Sequence, residues 1–151
     1  MLQQEVLKMI DDSVLCWLAT SSSKGVPNVT PKEVFCHYGE NRIIIANIAS
    51  PGSKRNIIEN PCICLSVVDI LVQKGFQLKG TGEVIDASNP EFDAMEAILS
   101  WITQGKFPFS TIFVLNIEKV KPILAPSYLL YPETTEEDQI EQAKRSYGLK
   151  K

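Results

Sequence analysis

The chain is divided into six short apolar runs, each of strand length and each bounded by turn residues or charged segments. The runs span residues 14–20, 26–38, 42–46, 62–68, 76–85 and 111–117, and residues 120–124 could extend the last of them. Runs of this length, rich in Val, Ile, Thr and aromatic residues and ended by Gly, Pro, Asn or Ser, are typical of β-strands. Turns at 21–25 and 38–41 separate the first three runs, which predicts an antiparallel meander. Pro27 and Pro31 confine the second strand to an edge, a bulge or a kinked entry, because proline cannot donate to a sheet.

Segments between and beside the strands have helical signals. They are residues 2–10, 50–60, 88–105 and the polar terminal segment 133–151. Gly80 and Gly82 in the fifth run indicate curvature or a close backbone approach. Together these features predict a mainly β fold, a closed barrel of six antiparallel strands with short helices, and an open sandwich is the second choice. We expect the barrel domain to span residues 1–132 and a polar helix to span 133–151.

Composition excludes several classes of protein. A length of 151 residues allows one domain with a substantial core. A net charge of −3 argues against a basic nucleic-acid-binding protein, and a single His argues against a histidine-rich metal site. We see no secretory signal and no apolar run long enough to span a membrane. Four scattered Cys do not form a disulfide framework, so we expect a reduced, cytoplasmic protein without membrane or nucleic-acid partners.

One window of the sequence has positive charge without acidic residues. Residues 41–58 contain Arg42, Lys54 and Arg55 and no Asp or Glu. The tetrapeptide 52–55, Gly-Ser-Lys-Arg, stands at a predicted helix start, where backbone N–H groups, a hydroxyl and cations together suit a phosphate. A solvated basic turn is the alternative interpretation, and the tetrapeptide alone favours it.

A second candidate lies on the second predicted strand, where Thr30 and Lys32 flank Pro31. A flat heteroaromatic ring held on a barrel wall needs apolar groups at its faces and polar groups at its rim. Positive charge near the pyrimidine end of a flavin is one way in which a protein tunes it. An ordinary protected edge strand is the alternative.

Taken in order, five segments resemble the pyridoxamine 5′-phosphate oxidase-related family, the FMN-binding split barrels. These segments are residues 18–25, 28–32, 42–47, 53–61 and 78–83. The resemblance covers about residues 14–125. It implies a six-stranded antiparallel split β-barrel, FMN as the cofactor, and a homodimer with FMN at the subunit interface.

The same resemblance implies roles for ten positions. The residues along the isoalloxazine ring would be Thr30, Pro31 and Lys32, and those lining the ring and ribityl chain would be Ala46, Asn47 and Ile48. The phosphate group would be held by Ser53, Lys54 and Arg55, with Asn56 bracing the loop. Trp101 or the segment 107–109 of a second copy is also expected to contact the cofactor.

Two departures from the family pattern bear on function. The family usually places a basic residue before a Thr or Ser in the phosphate loop, whereas here Ser53 precedes Lys54, so the phosphate ligands stay open. Authentic pyridoxamine 5′-phosphate oxidases are longer and carry C-terminal Arg and His residues that bind substrate. The single His of this chain is His37, so we do not expect that particular activity.

The resulting hypothesis is an FMN-dependent oxidoreductase that moves electrons or hydride between a reductant and a small acceptor. The alternatives are a non-catalytic FMN-binding electron carrier and a split barrel that binds haem or a deazaflavin. Because the cofactor carries the redox chemistry, no catalytic side chain is assigned. Cys62 and Cys64 face the same way on one strand, but no second Cys pair or nearby His accompanies them, so we expect no metal site.

Overall fold

A computed structural model describes residues 1–149 of the chain. Its strands are β1 (Cys16–Ser21), β2 (Pro27–Lys32), β3 (Phe35–Tyr38), β4 (Arg42–Ala46), β5 (Cys62–Asp69), β6 (Lys74–Ile85) and β7 (Ile112–Leu124). Its helices are α1 (Gln4–Asp12), α2 (Pro51–Glu59), α3 (Phe92–Thr103), α4 (Pro126–Leu130) and α5 (Glu136–Ser146). The predicted mainly β fold with short helices is confirmed.

The strands form one antiparallel sheet that curls on itself. Across the sheet their order is β2-β1-β5-β6-β7-β4-β3, so β2 and β3 lie at opposite edges. Only Glu33 and Val34 connect these two strands, which requires the two edges to meet. The Ala46 N–H donates to the Val34 carbonyl at 3.0 Å, which continues the β3–β4 ladder back to the end of β2. We call this meeting line the seam.

The predicted count of six strands is wrong, because the sheet has seven. The predicted strand 26–38 is two strands, β2 and β3, that pair with different partners. β2 pairs with β1, whereas β3 pairs with β4, so the chain turns at Glu33–Val34 to pass from one edge of the sheet to the other. The change of partner falls at Glu33–Val34, with residues that favour a strand on both sides, and the segment was therefore interpreted as one strand.

Glycines permit the tight curvature of the long strands β6 and β7. The register between these strands shifts between Lys79 and Gly80. A Cβ atom at Gly80 would lie 1.9 Å from the Asn116 carbonyl oxygen, so any larger residue would force the strands apart. The predicted close approach at Gly80 is confirmed. Gly75 has a similar role, since a Cβ there would lie 2.0 Å from the Val67 carbonyl oxygen.

Helices cover the two faces of the sheet unequally. α1 and α2 pack on the concave face, where Val6 and Ile57 join the main core with Leu115. α3 packs on the opposite face over β4 and β7, and forms a second core. The members of this second core are Ile44, Ala46, Ile85, Phe92, Met95, Leu99, Ile112 and Val114.

The rest of the outer sheet surface stays exposed or partly exposed. We call it the bare face; its residues are Trp17, Ala19, Val29, Pro31, Cys62, Cys64, Ser66, Gln77, Lys79, Thr81, Lys119 and Lys121. Trp17 and Val29 are 47% and 56% exposed. The part of the bare face on β1 and β2 is apolar, and an exposed apolar strip is suited to contact with another protein surface.

The start of α3 and the whole of α4 were not predicted from sequence. α3 begins at Phe92 and not at residue 88, because Ser88 and Glu91 donate backbone N–H groups to the side chains of Asp86 and Asn89 in a turn. α4 was not predicted at all. In the terminal segment 133–151, α5 begins after a capping box between Thr135 and Asp138, and residues 150–151 lie outside the described residues.

α5 is attached to β6 and to α4 by polar contacts. The Lys74 ammonium lies 2.8 Å from a Glu136 carboxylate oxygen, and the Ser127 hydroxyl donates to Gln139 at 2.7 Å. The division of the chain at residue 132 stays a prediction. None of the helices within residues 1–149 has the length and apolarity that crossing a membrane would require.

Candidate functional site

A cavity of about 210 Å³ opens at the seam, where β2 and β4 end and α2 begins. We call it the seam cavity. Its lining residues are Pro31, Lys32, Glu33, Val34, Ala46, Ile48, Ser50 and Phe107. The walls are mostly apolar, with one cation, one exposed carboxylate and one hydroxyl, which is the composition expected of a small-molecule site.

Lys32 is the unusual residue of this cavity. It points to the concave side of the sheet, opposite Cys16 on β1, and is only 7% exposed. Its ammonium donates to the Ser50 hydroxyl and lies 5.7 Å from the centre of the Phe113 ring. Among the described residues no carboxylate oxygen lies within 4 Å of it.

Burial lowers the pKa of Lys32, because the charged form loses water, and the neighbouring Cys16 opposes this change to a smaller extent. An ammonium has three N–H donors, and Ser50 accepts only one of them. Lys32 is therefore a buried cation without a counter-charge from residues 1–149, at the wall of a cavity. An anionic or electron-rich ligand group would compensate it.

Polar side chains from β1, from the concave side of β2 and from α2 form a hydrogen-bonded layer. We call this the polar layer; it contains Thr20, Asn28, Thr30, Ser53 and Asn56. Asn28 donates to the Ser53 hydroxyl at 3.3 Å, and the Thr30 and Ser53 hydroxyls are also 3.3 Å apart. Asn56 donates to the Thr20 hydroxyl at 3.0 Å. Ser53 and Asn56 are buried, so these bonds hold α2 against β1 and β2.

The first turn of α2 leaves backbone N–H groups open. Pro51 has no N–H, and the N–H of Lys54 already donates to Ser50, which leaves those of Gly52 and Ser53 without a helical acceptor. A Cβ atom at Gly52 would meet no other atom within 4 Å, so there is space beside this turn. Ser50, at the seam cavity, directly precedes the turn, and the two regions are therefore continuous.

The two predicted phosphate cations differ in their surroundings. Lys54 is partly buried and close enough to Asp86 to contribute to its low pKa, which hydrogen bonds from Ser88 lower most. Arg55 is exposed on the outer side of α2. Lys54 thus lies beside the open first turn, whereas Arg55 points to solvent.

The chain between β4 and α2 is held by Asn47. Its side-chain amide donates to the Thr111 hydroxyl at 2.9 Å, and its side-chain oxygen accepts from the Ser50 N–H at 3.2 Å. Ala49 adopts a left-handed conformation, with φ of 54°. Asn47 therefore shapes the loop, whereas its neighbours Ala46 and Ile48 line the cavity.

The structure brings only some of the ten predicted positions together. Pro31, Lys32, Ala46 and Ile48 share the seam cavity, whereas Thr30, Ser53 and Asn56 belong to the polar layer. Sequence reasoning missed Glu33, Val34 and Ser50 as lining residues, and it considered the segment with Phe107 only as a contact from a second copy. Ser50 was recognisable as a residue before a helix-starting proline, but its contact with Lys32 requires the closed sheet.

Comparisons with known proteins agree on the fold. HupZ from group A Streptococcus matches with a TM-score of 0.69 and 24% identity over 80% of this chain and 92% of that chain. An FMN-binding protein from Syntrophomonas wolfei matches with a TM-score of 0.64 and 21% identity, over 79% and 86%. HutZ, a heme storage protein from Vibrio cholerae, matches with a TM-score of 0.63 and 15% identity, over 81% and 94%.

No curated protein matches the chain. The family model described as pyridoxamine 5′-phosphate oxidase matches residues 2–123. That span contains the seam cavity, the polar layer and every strand except the last residue of β7. The chain belongs to the pyridoxamine 5′-phosphate oxidase family.

Proposed function

We propose that this protein is a flavoprotein that binds FMN at the seam and uses it as an oxidoreductase with a small acceptor. The observation that carries the proposal is the buried ammonium of Lys32 in a cavity with apolar walls. Val34, Ala46 and Ile48 offer flat apolar contact, and Lys32 offers a cation at the edge, which together suit a heteroaromatic ring with a polar rim. FMN binding by the Syntrophomonas wolfei protein of the same fold supports this choice.

The phosphate end of FMN fits the start of α2. The open N–H groups of Gly52 and Ser53, the space beside Gly52 and the Lys54 side chain lie next to the cavity. A helix N-terminus favours a phosphate, because its N–H groups and the helix dipole both attract negative charge. The Ser53 hydroxyl is engaged with Asn28 and Thr30, so its backbone N–H is the group we assign to the phosphate.

When bound, FMN supplies transfer of hydride or of single electrons. The chain's own residues have three tasks. The Lys32 ammonium would stabilise negative charge on the bound ring, the apolar walls would exclude water, and the exposed rim at Glu33 would be the side from which an acceptor approaches. No side-chain nucleophile is required for these tasks.

We also propose that a second copy of the chain completes the site. A cavity of about 210 Å³ is smaller than the roughly 300–1,000 Å³ typical of small-molecule pockets. Pro31 belongs both to the cavity and to the bare face, beside the exposed Trp17 and Val29. A homodimer that packs on this strip would add a wall to the cavity.

The four free cysteines support a reducing, cytoplasmic compartment.

The absorbance spectrum of the purified protein tests the cofactor. We expect a flavin spectrum, or its appearance on titration with FMN with one FMN bound per chain. A colourless protein that gains no flavin on titration contradicts the proposal. Oxidation of NAD(P)H with an added acceptor distinguishes an enzyme from an electron carrier.

The same spectra test the alternatives. A Soret band would indicate haem, as in the heme storage protein HutZ, and competition by a deazaflavin would indicate that cofactor. FMN is favoured over histidine-ligated haem because the single His, His37, is hydrogen-bonded to Asp11 at 2.9 Å and does not line the seam cavity.

A further inference from the structure

A second cavity, of about 430 Å³, lies beside the seam cavity. We call it the Glu33 groove. Its walls come from the end of α1, the chain before β1, the turn between β2 and β3, β3 itself and the end of α3. Its apolar residues include Ile10, Val14, Phe35 and Ile102, and its carboxylates are Asp11 and Glu33. The proposed FMN site uses none of these residues except Glu33, at its rim.

The groove adjoins the seam cavity along two segments of the chain. Glu33 lines both cavities. In the residues that follow it, Val34 lines the seam cavity and Phe35 lines the groove. At the end of α3, Ile102 lines the groove, and Phe107 lines the seam cavity a few residues later. A molecule in the groove therefore lies next to a ring held at the seam.

Apolar side chains are open to solvent at this groove. Ile10 and Phe35 are buried and belong to the main core, whereas Val14 is 81% exposed and Ile102 is 38% exposed. Covering exposed apolar surface with an apolar molecule is favourable in proportion to the area removed from water. The groove therefore suits a largely apolar molecule.

The charge of the groove is opposite to that of the seam cavity. The seam cavity has the Lys32 ammonium, whereas no Lys or Arg among residues 1–149 lines the groove. None of their nitrogens lies within 4 Å of the Glu33 carboxylate either. Burial and, to a smaller extent, the nearby Asp11 raise the pKa of Cys36 to about 11, so this thiol in the groove wall is uncharged at neutral pH. The groove therefore disfavours an anion, whereas the seam cavity favours one.

The surface on which we place the homodimer does not include the groove. That strip contains Trp17, Val29 and Pro31, and none of these residues lines the groove. Pro31 lines the seam cavity on the side of the strip, and Glu33 lines it on the side of the groove. A second copy that adds a wall at Pro31 would leave the side at Glu33 to another molecule.

We propose that the Glu33 groove binds the electron acceptor of this protein, and that the acceptor is an uncharged aromatic quinone. The inference rests on the proposed function, because the electrons come from FMN at the seam. A nicotinamide reductant supplies a hydride and the solvent supplies a proton. The quinone gains these two electrons and two protons and becomes a hydroquinone, while the flavin returns to its oxidised form. Both forms of the acceptor are neutral, as the groove requires, and the Glu33 carboxylate is an acceptor for a hydroquinone hydroxyl.

Equilibrium dialysis of the full chain, loaded with FMN, against a matched pair of quinones tests the proposal. The pair is 2-(hydroxymethyl)anthraquinone, which is neutral, and anthraquinone-2-sulfonate, which is an anion. Neither has a free quinone carbon to which the cysteine thiols could add. We expect the neutral quinone to bind once per chain, at least about tenfold more tightly than the sulfonate at low salt, because the carboxylates repel the anion. Glu33→Gln should reduce this preference by about threefold, since one of the two charges is lost.

Ile102→Gln should weaken binding of the neutral quinone by about fivefold and leave FMN affinity unchanged, because it removes apolar contact in the groove alone. Ile70→Gln is the matched control, since Ile70 is 60% exposed in the turn after β5 and lines neither cavity. Its quinone affinity should equal that of the wild type.

Three results would overturn the proposal while FMN binding stays intact. They are no binding of the neutral quinone, equal binding of the sulfonate, and equal quinone affinities of Ile102→Gln and Ile70→Gln. Failure of the proposed function is recognised separately, because the flavin spectrum is then absent. Quinone binding that depends on Ile102 in a protein without FMN binding would also overturn the acceptor role.

Discussion

Two neighbouring positions on the concave side of β2 have opposite surroundings. Thr30 belongs to the polar layer, where hydroxyls and amides from β1, β2 and α2 hydrogen-bond one another. Lys32, the next inward residue, faces the seam cavity with one acceptor and no carboxylate within 4 Å among residues 1–149. Both positions are polar and face the concave side, and both were predicted to contact the cofactor.

The comparison distinguishes polar residues that stabilise the fold from polar residues that bind a ligand. A buried polar group whose hydrogen bonds are complete contributes to stability and specifies packing. A buried charge without a counter-charge costs stability and is retained where a ligand uses it. We therefore expect substitutions in the polar layer to change the free energy of unfolding, and substitutions at the seam cavity to change ligand affinity.

The largest effect should follow from Asn56→Ala in the polar layer. The variant leaves the Thr20 hydroxyl without its donor and opens a small cavity, which should lower the free energy of unfolding by about 3 kcal/mol. Urea denaturation measures this loss, and flavin affinity of the folded fraction should be nearly unchanged. Asn60→Ala, at the C-terminal end of the same helix, is the control and should cost less than about 1 kcal/mol. Equal losses in both variants would contradict the structural role of the polar layer.

The next effect should follow from Lys32→Met at the seam cavity. Removing the cation should weaken FMN binding by roughly 30-fold, about 2 kcal/mol, because hydrogen bonds from charged groups are strong when water is excluded. Stability should stay equal or increase, since the uncompensated buried charge is removed. Fluorescence titration with FMN and urea denaturation measure the two quantities. Lys24→Met, in an exposed turn, should change neither, and unchanged FMN affinity in Lys32→Met would remove Lys32 from the site.

A smaller effect should follow from Lys54→Ala at the start of α2. We expect FMN affinity to fall about fivefold, near 1 kcal/mol, because this side chain is partly exposed and its charge is screened. Arg55→Ala, one residue further and exposed, should have less effect. Titration with FMN and with riboflavin separates the phosphate contribution, since riboflavin lacks the phosphate. If Lys54→Ala weakens both ligands equally, the phosphate assignment is wrong.

The pH dependence of stability provides a further test of the buried charge. Because burial lowers the pKa of Lys32, the unfolded chain holds more protons than the folded protein between that lowered pKa and the ordinary value of 10.5. The contribution of Lys32 to stability therefore becomes less unfavourable as pH rises through this window. Cys16 acts in the opposite direction above its ordinary value of 9.0, because burial raises its pKa to about 12.

The difference between the wild type and Lys32→Met isolates the lysine. We expect the stability advantage of the variant to shrink as pH rises from neutral towards 10.5, in urea denaturation at each pH. Parallel stability curves for the two proteins would show that the Lys32 ammonium is not desolvated by folding.

The spacing of apolar residues predicted where most strands lie, but it did not predict the break between β2 and β3. The run from Val26 to Tyr38 stays β-like throughout, because each half pairs with a strand, and a change of pairing partner leaves no local signal. The residue contacts that line the cavity at this break could not be predicted from the sequence either. Lys32 and Ser50 are 18 residues apart and meet only because the sheet closes. The contacts that form the seam cavity could therefore not be predicted from the sequence.

The sequence by itself determined the mainly β architecture, the helix that starts near Pro51, the close approach at Gly80 and the resemblance to a family. The first three follow from the local spacing of apolar residues, from turn residues and from backbone sterics. The resemblance follows from the order of such local patterns along the chain. Only the tertiary structure decided which polar residues have their hydrogen bonds satisfied by neighbouring side chains and which face a cavity. It separated Lys32, which faces the seam cavity, from Thr30, which belongs to the polar layer. Burial and hydrogen bonding depend on which strands and helices meet, and one-dimensional patterns do not specify those meetings.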